Sequence, residues 1–420
     1  MGQQVLAAAA SGLAGKMTGF KTKPASAKAI AEPRIVALDG FRGMMTLFVL
    51  VSHYLAEVPH GVPGFAVGWI AVVSFFVLSG FLVGRLILEK KDCANFFVVF
   101  YVRRFCRTLP VYLVCVTLVF ACVTYFGNAD WLDVRAQFPL WSYLTFTQNF
   151  FFVGTNSIGP HWLAPTWTLA VEEHFYLFAP ALFFVVPRRY MIPVLTAGLV
   201  LTVGFRAYVL TTGVLPDMVT RVTLPGIADT LICGLIAGLL IKTEGIDWRR
   251  YDFALRVTPV VMLLVTNGLM RAPGGVSGPI FQTFAGLTVS IAAAAFLLSI
   301  VRGAPEAKRF NSAILCFFGR TSYSVYLTHL TVLGLMHGLI LGTRPDLATP
   351  AQWAVTVAAL PIAILVGWIG TKLVEEPITT YGRSWKWSKQ MRPLASVASR
   401  NCRPPLRHGL LPAIARTTPH

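Results

Sequence analysis

The sequence predicts an all-α, polytopic integral membrane bundle of about ten transmembrane helices, with both termini in the cytoplasm. Three observations lead there. Hydrophobic residues make up 55% of the 420 positions and charged residues only 13%, which is more apolar surface than a soluble globule needs to bury. The apolar residues fall in continuous runs, such as VYLVCVTLVFACVTYF (Val111 to Phe126) and IAAAAFLLSIV (Ile291 to Val301). Such runs fit helices in lipid and not the alternating strands of a membrane barrel. Basic residues, finally, collect between alternate runs, as the positive-inside rule requires.

In chain order, residues 1–33 are rich in Ala, Gly and Lys and have no apolar core, so they read as a flexible basic tail. The stretch Val5 to Ala10 is too short, and lacks the preceding charge, for a cleaved signal peptide. A transmembrane domain follows over 34–384. Its spans are expected near 40–58, 66–88, 108–126, 167–187, 191–211, 223–241, 254–270, 279–301, 314–340 and 351–373, with Pro and Gly marking the connections. The segment PLWSYLTFTQNFFFV (139–153) is apolar but interrupted by Ser, Thr, Gln and Asn, which suits a re-entrant or interfacial piece. Residues 385–420 are basic and contain Pro, and read as a disordered tail beside the membrane.

The charges test this count. Lys90, Lys91, Arg103, Arg104, Arg107, Arg188, Arg189, Lys242, Arg249, Arg250, Arg302, Lys308 and Arg309 fall on the side predicted to be cytoplasmic, whereas the opposite side carries only Arg135, Arg221, Arg271 and Arg344. The net charge of +18 is thus spent on topology, and no soluble basic domain is present to grip a nucleic acid. The seven cysteines stand singly, and neither they nor any HExxH spacing predicts a metal site. No internal repeat of the secondary-transporter kind is visible.

Within this apolar background, ionisable residues inside spans point to function. LDGFRGMMTLFVLVSHY (Leu38 to Tyr54) carries Arg42 and His53. Eleven positions are roughly three turns, which sets both on one helix face about 16 Å apart. His53, in apolar surroundings, is the candidate general base, although Arg42 alone suits a snorkelling interfacial arginine and His53 alone a packing histidine. Arg104 and Arg107 in FYVRRFCRTLP share a helix face and could clamp a phosphate-rich ligand, or mark topology and touch lipid headgroups. In APTWTLAVEEHFYLFAP, Glu172 and Glu173 point about 100° apart, so at most one faces any given site. Tyr326 and His329 in FFGRTSYSVYLTHL lie three apart on one face, and Asp229 is a lone acid in its span, with Arg221 two turns earlier as a candidate partner. Gly80 and Gly84 make a small-xxx-small pattern for close helix packing.

These pieces, in this order, resemble the acyltransferase-3 family of membrane-bound O-acyltransferases. LDGFRGMMTLFVLVSHY resembles its opening arginine–histidine motif, SFFVLSGFLVGRLI its second-helix signature, and YVRRFCRTLPVYL its RxxR segment. WTLAVEEHFYL, GRTSYSVYLTHL and VEEPITTYGR resemble its later blocks, so that the likeness spans about 34–384. His174 stands where the family often has Gln, and Thr168 where it usually has Ser. The resemblance implies transfer of an acyl group, most often acetyl, to a hydroxyl of an exported or cell-surface carbohydrate or glycolipid, in the bacterial cytoplasmic membrane. Acyl-CoA (acetyl-CoA) is the implied co-substrate, with no permanently bound cofactor, and the expected partners are that donor, the acceptor and membrane lipid. His53 carries over as the catalytic histidine with Arg42 as its partner. Glu172 or Glu173 becomes the supporting acid and Arg104 and Arg107 donor-site residues. Tyr326, His329 and Asp229, polar groups within spans, are expected to be supporting residues. A transporter or flippase of a glycolipid or acyl group, working without covalent chemistry, is the other expectation that ten helices with intramembrane charges allow.

Overall fold

In a computed structural model, residues 35–127, 129–134 and 136–388 are described; the expected tail over 1–33 and most of that over 385–420 lie outside them. The described residues form helices joined by short loops, with a single isolated bridge, Val134 to Pro160, in place of any sheet. Ten helices are long and apolar enough to cross a membrane. They are named here α1 (Val36–Leu55), α2 (Gly68–Lys90), α3 (Phe96–Phe126), α4 (Thr166–Val185), α5 (Arg188–Thr212), α6 (Leu224–Ile241), α7 (Asp252–Leu269), α8 (Pro279–Val301), α9 (Ala313–Leu341) and α10 (Pro350–Gly370). A π-helical turn over Thr371–Glu375 joins α10 to α11 (Glu376–Ser384) without a break. The protein is an all-α, multi-pass integral membrane protein.

Two helix ends differ from the sequence expectation. The third span begins at Phe96, not near 108, and runs on through Pro110. Arg103, Arg104 and Arg107 therefore sit on a helix wall and not in a loop. A proline inside a lipid-embedded helix is tolerated because neighbouring groups can satisfy the backbone it frees. The tenth span continues past 373 to Ser384 through the π turn, a feature frequent at functional sites. The segment around 139–153 forms two short helices, Leu140–Leu144 and Gln148–Thr155, broken at Phe146, whose φ is +57°. Neither is long enough to span.

Association of helices in lipid cannot draw on the hydrophobic effect, so it depends on close approach at small residues. α9 packs against both α1 and α10, and α2 against α6, α1 and α8. At the α1–α9 crossing, a Cβ on Gly43 would collide with the Leu315 backbone and one on Gly319 with the Asp39 backbone. At the α2–α6 crossing, Gly80 lies on the Leu231 backbone and Gly234 on that of Val77. The expected role of Gly80 is met. Gly84 is less tightly held, against the Leu235 side chain. α7 packs on α8 but buries almost none of its own surface and faces the membrane.

Residues 385–388 dock on the start of α3. The Trp387 ring stacks on Phe96 at 5.9 Å and lies 5.0 Å from the Arg103 guanidinium, and Asn95 accepts from the Ser388 backbone N–H at 2.9 Å.

Gly319→Leu should force α1 and α9 apart, at a cost of about 1–3 kcal/mol or more. Gly204→Leu, on an exposed position with open space around it, should cost little. Thermal unfolding of the two detergent-solubilised variants will show the first melting well below the second. Equal melting temperatures would remove the argument for a glycine-dependent crossing.

Candidate functional site

The α1–α9 crossing brings together two histidines that are 276 positions apart. His53 Nδ1 and His329 Nε2 lie 2.7 Å from each other, with the rings stacked at 4.9 Å and 14°. Their protonation pattern follows from the outer partners. His329 Nδ1 is 2.7 Å from the Tyr326 carbonyl oxygen. A carbonyl only accepts, so His329 Nδ1 carries a proton and, in the neutral ring, Nε2 is the acceptor. His53 Nδ1–H therefore donates to it, and His53 Nε2 lies on the opposite edge of the ring. Tyr54 O–H donates to the His329 carbonyl at 2.9 Å and ties the same turn of α9 to α1.

Just beyond the end of α1 lies Glu57. Its Oε2 is 3.4 Å from His53 Nε2, and Ser52 O–H donates to its Oε1 at 2.6 Å. Partial burial pushes this carboxyl up, but the hydrogen bond and charge of His53, the Ser52 hydroxyl and the charge of His329 outweigh it and hold it at about 2. It is ionised at neutral pH.

A cavity of about 310 Å³ opens between α1, α2, α3, α4 and α9. Arg42, Arg104 and Arg107 line it together with one carboxylate, Glu172, and the apolar side chains of α2 form one wall. Three of these charges have close partners. Arg104 lies 4.4 Å over the Tyr176 ring, Tyr176 O–H donates to Glu172 at 3.0 Å, and Ser79 meets the same tyrosine hydroxyl at 2.6 Å. Arg42 stands 3.7 Å from Asp39. Tyr326 also lines the cavity, bonded to the Thr168 hydroxyl at 3.1 Å, and its ring lies 5.9 Å from that of His329. Tyr326 thus stands between the arginine-lined cavity and the histidine pair. Such an arrangement can bind an anionic ligand among the guanidinium groups and present a base beside its far end.

The structure thus brings Arg42, Arg104, Arg107, Glu172 and Tyr326 to one cavity, with His329 behind Tyr326 and His53 beyond His329. Arg42 and His53 are not partners, as their separation along the helix requires. Glu173, 100° round from Glu172, is outside the cavity lining, and its Oε1 is buried without a hydrogen-bond partner. Arg103 faces away and donates to the Trp385 carbonyl at 2.7 Å. His174 lies against Phe150 in a separate, apolar cavity of about 470 Å³.

Asp229 must be corrected. It does not support the site, nor does it pair with Arg221, which is exposed. Its carboxylate takes two hydrogen bonds, 2.9 and 2.7 Å, from Arg206 of α5, with both side chains buried. A bidentate pair satisfies both charges in a dry interface, which makes Asp229 a structural residue of the α5–α6 contact.

Sequence reasoning passed over Glu57, Glu375, Ser79 and Tyr176. Glu57 carried a signal, a lone acid four residues after His53 and so on the same face. Glu375, presented by the π turn, accepts from Ser324 at 2.9 Å. Ser79 was noted only as part of the packing motif, and nothing local to α2 or α4 announced its bond to Tyr176. Among the described residues, no three His, Cys, Asp or Glu side chains are set to hold a metal ion.

The fold and the site are those of a multi-pass membrane protein with a histidine pair near an arginine-lined cavity. The family profile described as "Acyltransferase domain" matches residues 35–372, and the chain belongs to that acyltransferase-3 family. It is 25% identical over 325 residues to a Staphylococcus aureus protein named "Putative O-acetyltransferase", covering 72% of this chain and 51% of that protein. To the peptidoglycan O-acetyltransferase OatA of Listeria monocytogenes it is 24% identical over 369 residues, 83% of this chain and 56% of that one. To the acyltransferase MdmB of Streptomyces mycarofaciens it is 27% identical over 378 residues, 82% and 92% of the two chains. The chain therefore spans about half the length of the Staphylococcus and Listeria relatives.

Asp229→Ala should leave the Arg206 guanidinium buried and unpaired and cost about 3–5 kcal/mol. Replacing both, as Arg206→Met with Asp229→Leu, should restore most of that loss. The fraction of monodisperse protein after heating, read by size-exclusion chromatography, separates the two outcomes. A double variant no better than the single one would mean that the pair is not the reason for the cost.

Proposed function

We propose that this protein is a membrane O-acyltransferase. It moves an acyl group, most simply acetyl, from a coenzyme A thioester to a hydroxyl of an exported or cell-surface carbohydrate or glycolipid. The observation that carries this reading is the His53–His329 pair, joined through Tyr326 to a cavity lined by three guanidinium groups. The names borne by the Listeria and Streptomyces relatives agree with it.

Coenzyme A is strongly anionic, and the arginine-lined cavity is where such a donor gains most. At about 310 Å³ the cavity is at the lower end of small-molecule sites, so it takes the thioester arm while the nucleotide stays at the mouth. The apolar side chains of α2 pack the arm, and the thioester carbonyl arrives beside Tyr326. The acceptor hydroxyl gives its proton to His53 Nε2 as its oxygen attacks the carbonyl. The C–S bond breaks, and the departing thiolate takes the proton back from Nε2. The products are an O-ester and free coenzyme A, with the histidine neutral again.

Direction across the membrane follows from charge. With both termini in the cytoplasm, Arg42, at the start of α1, faces the cytosolic donor, and His53, at its end, lies toward the outer side where an exported acceptor arrives. The bacterial cytoplasmic membrane is the location that fits.

Membranes containing the full-length protein, given labelled acetyl-coenzyme A, should place label on carbohydrate or glycolipid. His53→Ala should lower that transfer about 10²–10⁴-fold while inserting normally. Near-normal labelling by this variant would sink the assignment of the base, and no transfer by the native protein would favour transport without covalent chemistry. Arg104→Ala should raise the KM for the donor more than it lowers kcat. An unchanged donor KM would return that arginine to a purely topological role.

A further inference from the structure

We propose that Glu57 is the positioning residue of the histidine base. Its carboxylate faces His53 Nε2 across the ring from His329 and stabilises the imidazolium formed at that nitrogen. This rests on the reading of His53 as the base of acyl transfer and adds a residue to it.

The geometry supplies the argument. His53 is in the last turn of α1, and Glu57 follows four residues later on the same face. One carboxylate oxygen is already engaged, since Ser52 donates to Oε1 at 2.6 Å. Gly68, at the start of α2, closes over this contact: a Cβ there would meet the Ser52 hydroxyl at 2.9 Å and Glu57 Oε1 at 3.3 Å. Oε2 is thereby left aimed at His53 Nε2, 3.4 Å away. The other titratable side chains against the two rings are Tyr54 on α1 and Tyr326 on α9. Among these described contacts, Glu57 is the carboxylate.

His329 holds one nitrogen of the His53 ring, and the Glu57 carboxylate faces the other. Glu57 acts when Nε2 takes the acceptor's proton. The new positive charge would otherwise lie beside an apolar stretch of α1 that includes Val49 and Leu50, where a lone charge is costly. Proton and charge balance within the pair. The acceptor O–H bond breaks as Nε2–H forms beside Glu57, and Nε2–H gives its proton to the leaving thiolate. Glu57 stays ionised throughout and touches neither donor nor acceptor. The half-exposed Glu57 side chain (48%) against 19% for His53 also marks the edge from which the acceptor hydroxyl approaches.

The test uses full-length protein in membranes, with acetyl-coenzyme A as the probe and release of its thiol as the rate. Glu57→Gln should lower the His53-dependent kcat on the order of tenfold or more, leave the KM for acetyl-coenzyme A unchanged, and melt at the native temperature. Glu57→Asp should recover part of the loss. A Glu57→Gln protein with native kcat overturns the proposal. So does one in which Gln and Asp lose activity and melting temperature together, since that describes a structural residue. Solid-state NMR with 15N-histidine, assigned through His53→Gln and His329→Gln, gives an activity-independent reading. A carboxylate beside Nε2 favours a proton there, so His53 Nε2 should carry a proton more often in the native protein than in Glu57→Gln, whereas identical spectra overturn the proposal. If the native protein releases no more thiol than His53→Ala does, the acyltransferase reading fails, and the NMR comparison still decides what Glu57 does to the ring.

Discussion

Everything in the site depends on how closely α1 can approach α9. Lipid offers these two helices no hydrophobic gain for touching each other, so contact requires backbones that fit. Gly43 and Gly319 provide the fit, each facing backbone of the opposite helix. Only at that separation can two imidazoles meet at 2.7 Å across the interface, and only then does the Tyr54 hydroxyl reach the His329 carbonyl. A bulkier crossing would leave two isolated histidines in separate apolar helices, each a cost and neither a site.

The charges in the bundle fall into two kinds. Arg206 and Asp229 neutralise each other completely within a dry contact between α5 and α6, and nothing about them invites a ligand. Arg42, Arg104 and Arg107 are different, because they line one cavity with Glu172 in its wall, while Arg42 also pairs with Asp39 at 3.7 Å. Tyr176 and Ser79 hold Arg104 and Glu172 at that wall. Charges that border open space can meet a ligand, whereas those of a buried bidentate pair cannot.

The link between the cavity and the histidine pair is Tyr326. The tyrosine lines the cavity on one side and lies against His329 on the other. It holds that position through Thr168 at the start of α4, so three helices fix one ring. The π turn at Thr371–Glu375 contributes in the same way, by presenting Glu375 to Ser324 of α9.

The sequence by itself determined the ten spans, the shared helix face of Arg104 with Arg107, and the rule that only one of Glu172 and Glu173 can face a site. All of these follow from hydropathy, charge and the 100° step of a helix, which are local properties. The pairing of His53 with His329, the true partner of Asp229 and the tie from Ser79 to Tyr176 were decided by tertiary structure alone. Each depends on the register between helices far apart in the chain, and register is set by where small residues allow backbones to approach. Glu57 lies between these cases: its spacing from His53 was legible, but its meaning appeared only once His329 had claimed the other edge of the ring.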